Sequence, residues 1–150
     1  MKKLYILFVL LILVSACGGK TDRNDTKTCS VVLSGSSADF TFDAINDKVK
    51  TTTIDLTFPS SSFGTYDLVN LTTDQKKDIT ENITSSLGIE NTNGMEIDTD
   101  FNEENILVHI KIDIEMSETD TLSILGLNNL KSGTMTEQID YIKNIGGTCD

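Results

Sequence analysis

The residues with the most evident capacity for chemistry are the acidic ones in the second half of the chain. Asp98, Asp100 and Asn102 place oxygen atoms at alternate positions, as the first half of a calcium-binding loop does. The sixth loop position is Glu103, where glycine makes the sharp turn, and the twelfth is His109, where a bidentate glutamate closes the site. The polar side of a strand followed by a turn explains the pattern better, and no metal or cofactor is expected. The weak cation ligands that remain are Asp98, Asp100, Glu103 and Glu104.

The sequence gives little support for a catalytic site. Between Glu90 and Asp120 the chain carries ten acidic residues and one basic residue, Lys111, and such a charge run is usually a solvated face. His109 is the only histidine, so a histidine metal cluster is excluded and a catalytic triad would depend on this one side chain. The GxSxG, HExxH and CxxC motifs and a phosphate-binding glycine loop are absent. We therefore expect that the protein is not an enzyme.

The first sixteen residues have the pattern of a bacterial export signal. Two lysines precede the apolar run 4–14, which is shorter than the about 20 residues needed to span a bilayer. Val14-Ser15-Ala16-Cys17 then resembles a bacterial lipobox. The resemblance implies a signal peptide at 1–16 and a diacylglycerol lipid with palmitate-like chains on Cys17, which anchors the mature protein to a membrane. The alternative is a secreted protein with a chance cysteine beside its cleavage site.

The lipobox also predicts a location, the extracytoplasmic face of the cell membrane. Gly18 follows Cys17 in place of the aspartate that retains lipoproteins at an inner membrane, so the outer membrane is the alternative in an organism that has one. Without Lys2 and Lys3 the side chains comprise 10 basic residues (12 − 2) against 23 acidic ones, a balance of −13. Such a surface repels nucleic acid. The expected partners are the membrane, through Cys17, and another envelope protein or wall component.

Two further cysteines, Cys29 and Cys149, lie near the two ends of the mature chain. Outside the cytoplasm disulfides persist, and two thiols allow one intramolecular pairing. The pairing would close a loop of 120 positions (149 − 29), for which the chain-entropy model gives roughly 4–5 kcal/mol. Two buried free thiols are the alternative.

Hydrophobic periodicity predicts the elements of the first half of the domain. Residues 17–27 have no apolar side chain after Cys17 and are predicted to form a flexible tether, with a single domain at 28–150. Alternation of apolar and polar residues predicts strands at 29–33, 40–44 and 48–58, the last of which ends at Pro59.

The second half of the domain is predicted to contain helices and two more strands. Two capping boxes, at Thr72-Thr73-Asp74-Gln75 and Thr134-Met135-Thr136-Glu137, predict the starts of helices that end at Gly88 and Gly146. Between the two helices, the alternation at 95–101 and 106–116 predicts two strands. A short helix is predicted at 119–125. The polar side of the second strand is the predicted interaction surface and carries His109, Lys111 and Asp113.

The predicted order is β-β-β-α-β-β-α-α, an α+β fold with a five-stranded antiparallel sheet and helices packed on one face. Several short motifs accompany this order: Thr28-Cys29, Phe42-Asp43-Ala44, Asp47-Lys48-Val49, the strand 110–114, and Tyr141-Ile142 with Gly147-Thr148-Cys149. Together with the lipobox and the order of elements, they resemble the YehR-like family of small bacterial lipoproteins, which has no established activity. The resemblance implies the fold and the lipid anchor but no site residues.

These observations predict a membrane-anchored extracytoplasmic lipoprotein with a non-enzymatic binding or interaction domain. The alternative is a lipoprotein that binds a small solute or a divalent cation, which the acidic segment 90–120 suggests.

Overall fold

In the computed structural model, the described residues are 22–33, 35–63, 67–88, 93–117 and 133–150. The predicted signal peptide, Cys17 and the start of the tether lie outside these ranges, as does the predicted helix at 119–125. The strands are β1 (Asn24–Leu33), β2 (Ser36–Ile45), β3 (Lys48–Pro59), β4 (Met95–Phe101), β5 (Asn105–Asp113) and β6 (Thr148–Cys149). The α-helices are α1 (Thr73–Ser86) and α2 (Met135–Asn144), and short 3-10 turns cover Ser60–Phe63 and Leu68–Asn70.

The strands form one antiparallel sheet in the order β4-β5-β3-β2-β1-β6. Within the described ranges the sheet has six strands, so the prediction of five was wrong, while the α+β class and the antiparallel arrangement are confirmed. The extra strand is β6, in which Thr148 and Cys149 pair with Ser30 and Cys29 of β1. Two residues are too few to show a period of two, so periodicity could not reveal this strand.

The core occupies one side of the sheet, because alternate residues of every long strand point to it. Phe42, Ile110 and Ile112 are fully buried there, as are Val49 and Ile106. Ile79 and Ile83 of α1 and Leu87 at its C-cap are partly buried against this core, as their four-residue spacing predicted. From α2, Met135 and Ile142 enter the core, whereas Ile145 is 42% exposed.

The boundaries of three strands differ clearly from the prediction, and β2 begins at Ser36, four residues before the predicted strand 40–44. β1 begins at Asn24, so residues 24–27 belong to the sheet and not to the tether: they pair with Phe42–Ile45 of β2. All four residues are polar, so they leave no apolar alternation in the sequence. β5 ends at Asp113, whose Oδ1 accepts hydrogen bonds from the backbone N–H groups of Glu115 and Met116. An aspartate that caps its own turn in this way stops the strand, and Met116 is consequently 64% exposed.

Both predicted capping boxes are present. Thr72 and Thr134 accept from the backbone N–H of Gln75 and Glu137, whose side chains accept from the backbone N–H of each cap. Among the described residues no helix is long and apolar enough to cross a membrane.

Replacing Thr134 by alanine is expected to lower the free energy of unfolding by about 1 kcal/mol, because the N-cap hydroxyl serves an otherwise unpaired N–H at the start of α2. Urea denaturation measures the change. The control is Asp140→Ala, an exposed position of the same helix that should stay within about 0.5 kcal/mol of the parent. Equal effects of the two substitutions would contradict the assigned cap.

Candidate functional site

The side of the sheet opposite the core is polar, and no described helix packs on it. We call this side the open face. Antiparallel sheets tolerate one solvated side, and threonine, which recurs on it, is favoured in strands. The open face consists of Thr26, Thr28, Ser30 and Val32 of β1, Ser37, Asp39, Thr41 and Asp43 of β2, Thr51, Thr53, Asp55 and Thr57 of β3, Glu96, Asp98 and Asp100 of β4, and Leu107, His109, Lys111 and Asp113 of β5.

The strand register arranges these side chains in rows that run across the sheet. The central row crosses β5 at His109, which lies opposite Asp55 of β3 and Asp98 of β4. The next row crosses β5 at Lys111, opposite Thr53 and Glu96. The predicted interaction residues His109, Lys111 and Asp113 therefore do lie on one face, the first two exposed and Asp113 half-buried.

His109 is held by a contact that the sequence did not reveal. Its Nδ1 lies 2.5 Å from Oδ1 of Asp55 on the neighbouring strand, 54 positions away. An ionised carboxylate can only accept, so Nδ1 carries the shared proton and Nε2 stays free of this bond. Both side chains are about half exposed, at 54% and 51%, and solvent screens such a pair, so its contribution is to orient the ring more than to stabilise the fold.

Hydroxyl groups brace the rest of the open face. Asp43 accepts hydrogen bonds from Thr26 Oγ1 at 2.6 Å and from Thr51 Oγ1 at 3.1 Å, which joins three strands in one row. Thr28 and Thr41 hydroxyls are 3.3 Å apart in the next row. These contacts fix side chains that would otherwise be mobile, so the face presents a defined pattern of acceptors.

Charge on the open face is strongly negative. Lys111 is the one lysine in these rows, beside His109, while the carboxylates are Asp39, Asp43, Asp55, Glu96, Asp98, Asp100 and Asp113. Because the low-dielectric sheet lies behind them, these charges project their field outward into solvent.

The predicted weak cation ligands are divided between two places. Asp98 and Asp100 point outward on β4, and Glu103 and Glu104 lie in the turn that follows, where Asn102 Oδ1 accepts from the backbone of Glu104 and Asn105. The strand-and-turn interpretation is thus confirmed. In the described ranges no group of three or more histidine, cysteine or acidic side chains is arranged to hold a metal ion.

A shallow cavity of about 380 Å³ lies at one end of the open face. Met95 and Met116 form apolar walls, and Glu96, Lys111 and Asp113 supply charges of both signs. Nearby, Lys50 contacts Glu115 at 2.5 Å. This hydrogen bond and the charge of Lys50 hold the pKa of Glu115 below its ordinary value of 4.5.

Replacing Lys50 by methionine is expected to return the pKa of Glu115 toward 4.5. A carboxyl group whose pKa is lowered in the folded state stabilises that state above its unfolded pKa, and the contribution is lost as the pH falls through the folded pKa. The relevant window therefore lies below pH 4.5. NMR titration of the side-chain carboxyl carbon of Glu115 measures its pKa in the parent and in the variant. The control is Lys77→Met, which removes the partner of Glu81 on α1 and should leave the titration of Glu115 unchanged. If Lys50→Met also left that titration unchanged, the contact between Lys50 and Glu115 would be contradicted.

The disulfide predicted between Cys29 and Cys149 is present, with an S–S distance of 2.02 Å. It joins β1 to β6 directly across the strand pair. Cys29 is fully buried, so the bond is held within the core side of the sheet, opposite the open face.

In the described residues, an antiparallel sheet has two helices on one side and a polar surface on the other, which is a small α+β fold. Two solved structures have a similar fold. The NMR structure of the E. coli YehR protein superposes with a TM-score of 0.61 at 21% sequence identity, covering 83% of this chain and 88% of that chain. The NMR structure of a protein from Streptococcus pneumoniae TIGR4 gives 0.62 at 16% identity, covering 89% and 88%. Compared with protein-family models and curated proteins, the chain gives no match. The YehR-like fold predicted from the sequence is confirmed.

Proposed function

We propose that the protein is a lipid-anchored, extracytoplasmic binding domain that docks another envelope component through the open face and catalyses no reaction. The observation that carries the proposal is the open face itself: a braced, acidic sheet surface on which no described helix packs. A lipid on Cys17 would hold this face at a membrane surface.

The chemistry of the open face favours a partner with a positively charged, hydrogen-bonding surface. Rows of carboxylates and hydroxyls offer acceptors, and complementary charge speeds encounter and rejects acidic partners. The face contains no Phe, Tyr or Trp side chain, so it lacks the broad stacking platform that a sugar ring or a base commonly uses. A basic protein surface therefore fits better than a glycan.

The surroundings of His109 support a binding role over catalysis. A histidine oriented by an aspartate becomes a general base when a serine or cysteine lies within hydrogen-bond reach of its other nitrogen. The cross-strand neighbours of His109 are Asp55 and Asp98, which are not nucleophiles of that kind.

The test is capture of a partner from detergent-solubilised envelope by the lipidated protein, compared with a variant that carries Asp39→Lys and Asp98→Lys on the open face. Capture that weakens with salt and is lost in the variant is expected. The matched control is Asp140→Lys, on the exposed side of α2, which should capture as the parent does. Equal loss in the control, or no reproducible partner for the parent, would contradict the proposal.

The cavity favours a second candidate function, binding of a small solute that carries both charges. Lys111 would receive an anionic group, Glu96 and Asp113 a cationic one, and the methionine walls an apolar portion. Calorimetric titration with amino acids and short peptides tests this candidate, and Lys111→Met should abolish any heat of binding. A titration with divalent cations is the comparison. If the protein instead bound a divalent cation, the metal ion would give a heat of binding without any organic solute.

A further inference from the structure

The start of the described chain is fastened to one particular end of the sheet. The side-chain amide of Asn46 donates to Asp22 Oδ1 at 2.8 Å, and its Oδ1 accepts from the backbone N–H of Arg23 at 3.1 Å. The backbone N–H of Asn46 donates in turn to the carbonyl of Arg23 at 2.9 Å. Asn46 and Asp47 form the two-residue turn between β2 and β3, both with positive φ, as a tight hairpin requires.

Other elements meet at the same end. The backbone N–H of Met135 donates to the carbonyl of Asp47 at 2.8 Å, which places the start of α2 there. Lys50, just inside β3, contacts Glu115 after β5. We call this end of the molecule the anchor end. It consists of Asp22, Arg23, Ile45, Asn46, Asp47, Lys48, Lys50, Glu115 and Met116.

The length of chain before the anchor end limits its distance from the proposed lipid. Four residues separate Cys17 from Asp22, so the five steps between them span at most about 18 Å. The sequence had predicted a tether of ten residues after Cys17, which reaches about 33 Å. The ten residues of β1 extend about 33 Å. The strand is therefore longer than the segment of about 18 Å that joins Cys17 to Asp22.

The composition of the anchor end suits contact with a membrane better than the open face does. Met116 is 64% exposed and Ile45 36% exposed, and both are apolar. Arg23 is paired with Asp25 at 2.9 Å and Lys50 with Glu115, and Lys48 is exposed beside them. Positive and negative charges thus nearly balance here, whereas the open face is acidic and is repelled by anionic headgroups.

We infer that the anchor end docks on the lipid surface that holds Cys17, with Ile45 and Met116 contacting the boundary between headgroups and acyl chains. The strands then run away from the membrane. The turn between β4 and β5, at 102–104, lies at the opposite end of the sheet, and the open face stands free at the side for a partner. This inference rests on the proposed lipid anchor.

The test places single fluorescent labels on the lipidated full chain in vesicles of phosphatidylethanolamine and phosphatidylglycerol that contain a nitroxide-labelled lipid. Labels are attached at Lys48→Cys in the anchor end and Asn102→Cys at the far end, both exposed positions. Quenching several-fold stronger at 48 than at 102 is expected. Equal quenching, or stronger quenching at 102, would overturn the docking inference.

Two further variants separate docking from simple tethering and from failure of the anchor. With ten Gly/Ser residues inserted after Gly19, the label at 48 should stay quenched if Ile45 and Met116 hold the surface, and Ile45→Ser with Met116→Ser should release it. A label that leaves the surface as soon as the tether is lengthened would refute docking. Vesicle flotation reads the anchor independently: a chain that floats but fails the label test refutes docking alone, and a chain that does not float refutes the anchor and the docking together.

Discussion

Replacing Cys29 and Cys149 together by alanine is expected to lower the free energy of unfolding by about 4 kcal/mol. The bond links residues 120 positions apart, and a cross-link over so long a loop removes roughly 4–5 kcal/mol of chain entropy from the unfolded state. A domain of this size has a total stability of about 5–15 kcal/mol, so the loss is a large share of it.

Urea denaturation of the oxidised parent, the reduced parent and the double variant measures this effect. The reduced parent and the variant should unfold at similar, lower urea concentrations, and mass spectrometry after alkylation should find no reactive thiol at these two positions in the oxidised form. A loss below about 1 kcal/mol, or two free thiols in the oxidised sample, would contradict a stabilising cross-link.

The second large effect comes from replacing Ile110 by alanine, which is expected to lower the free energy of unfolding by about 2–5 kcal/mol. Ile110 is fully buried at the centre of β5, and truncation leaves a cavity in the core. Its matched control is Leu107→Ala on the same strand, because Leu107 is a branched aliphatic residue on the open face and is 39% exposed. That change should cost less than about 0.5 kcal/mol.

The comparison of these two variants also tests whether the open face is open. If another part of the chain packed over it, Leu107 would be a core residue and its truncation would cost as much as that of Ile110. Equal losses would therefore remove the observation on which the proposed function rests.

Elements with strong local signals were predictable from the sequence. The capping boxes at Thr72 and Thr134 mark helix starts because the cap and its partner lie three residues apart, within the reach of local inspection. The alternation of Ile106, Val108 and Ile110 reveals β5 for the same reason: each residue reports its own side of the sheet.

What the sequence did not reveal depends on contacts between distant residues. β6 exists because Thr148 and Cys149 pair with β1, and the four polar residues 24–27 join β1 because β2 extends beside them. Neither segment has a residue pattern that would predict a strand from its own sequence.

The candidate site follows the same rule. The outward direction of His109, Lys111 and Asp113 was predictable from alternation within one strand. The bond from His109 to Asp55, and the row that adds Asp98, depend on the register between β3, β5 and β4. Alternation alone cannot choose among registers two residues apart, since each keeps the same side of the strand outward.

We propose that a lipid on Cys17 holds this domain at a membrane, and the intact mass of the protein extracted from bacterial membranes is the decisive measurement. The expected mature chain begins at Cys17, lacks residues 1–16, carries a diacylglycerol lipid on that cysteine and contains the Cys29–Cys149 disulfide. Cys17→Ser should remove the lipid and leave the disulfide intact. A mature chain with an unmodified Cys17, recovered from the soluble fraction, would contradict the account.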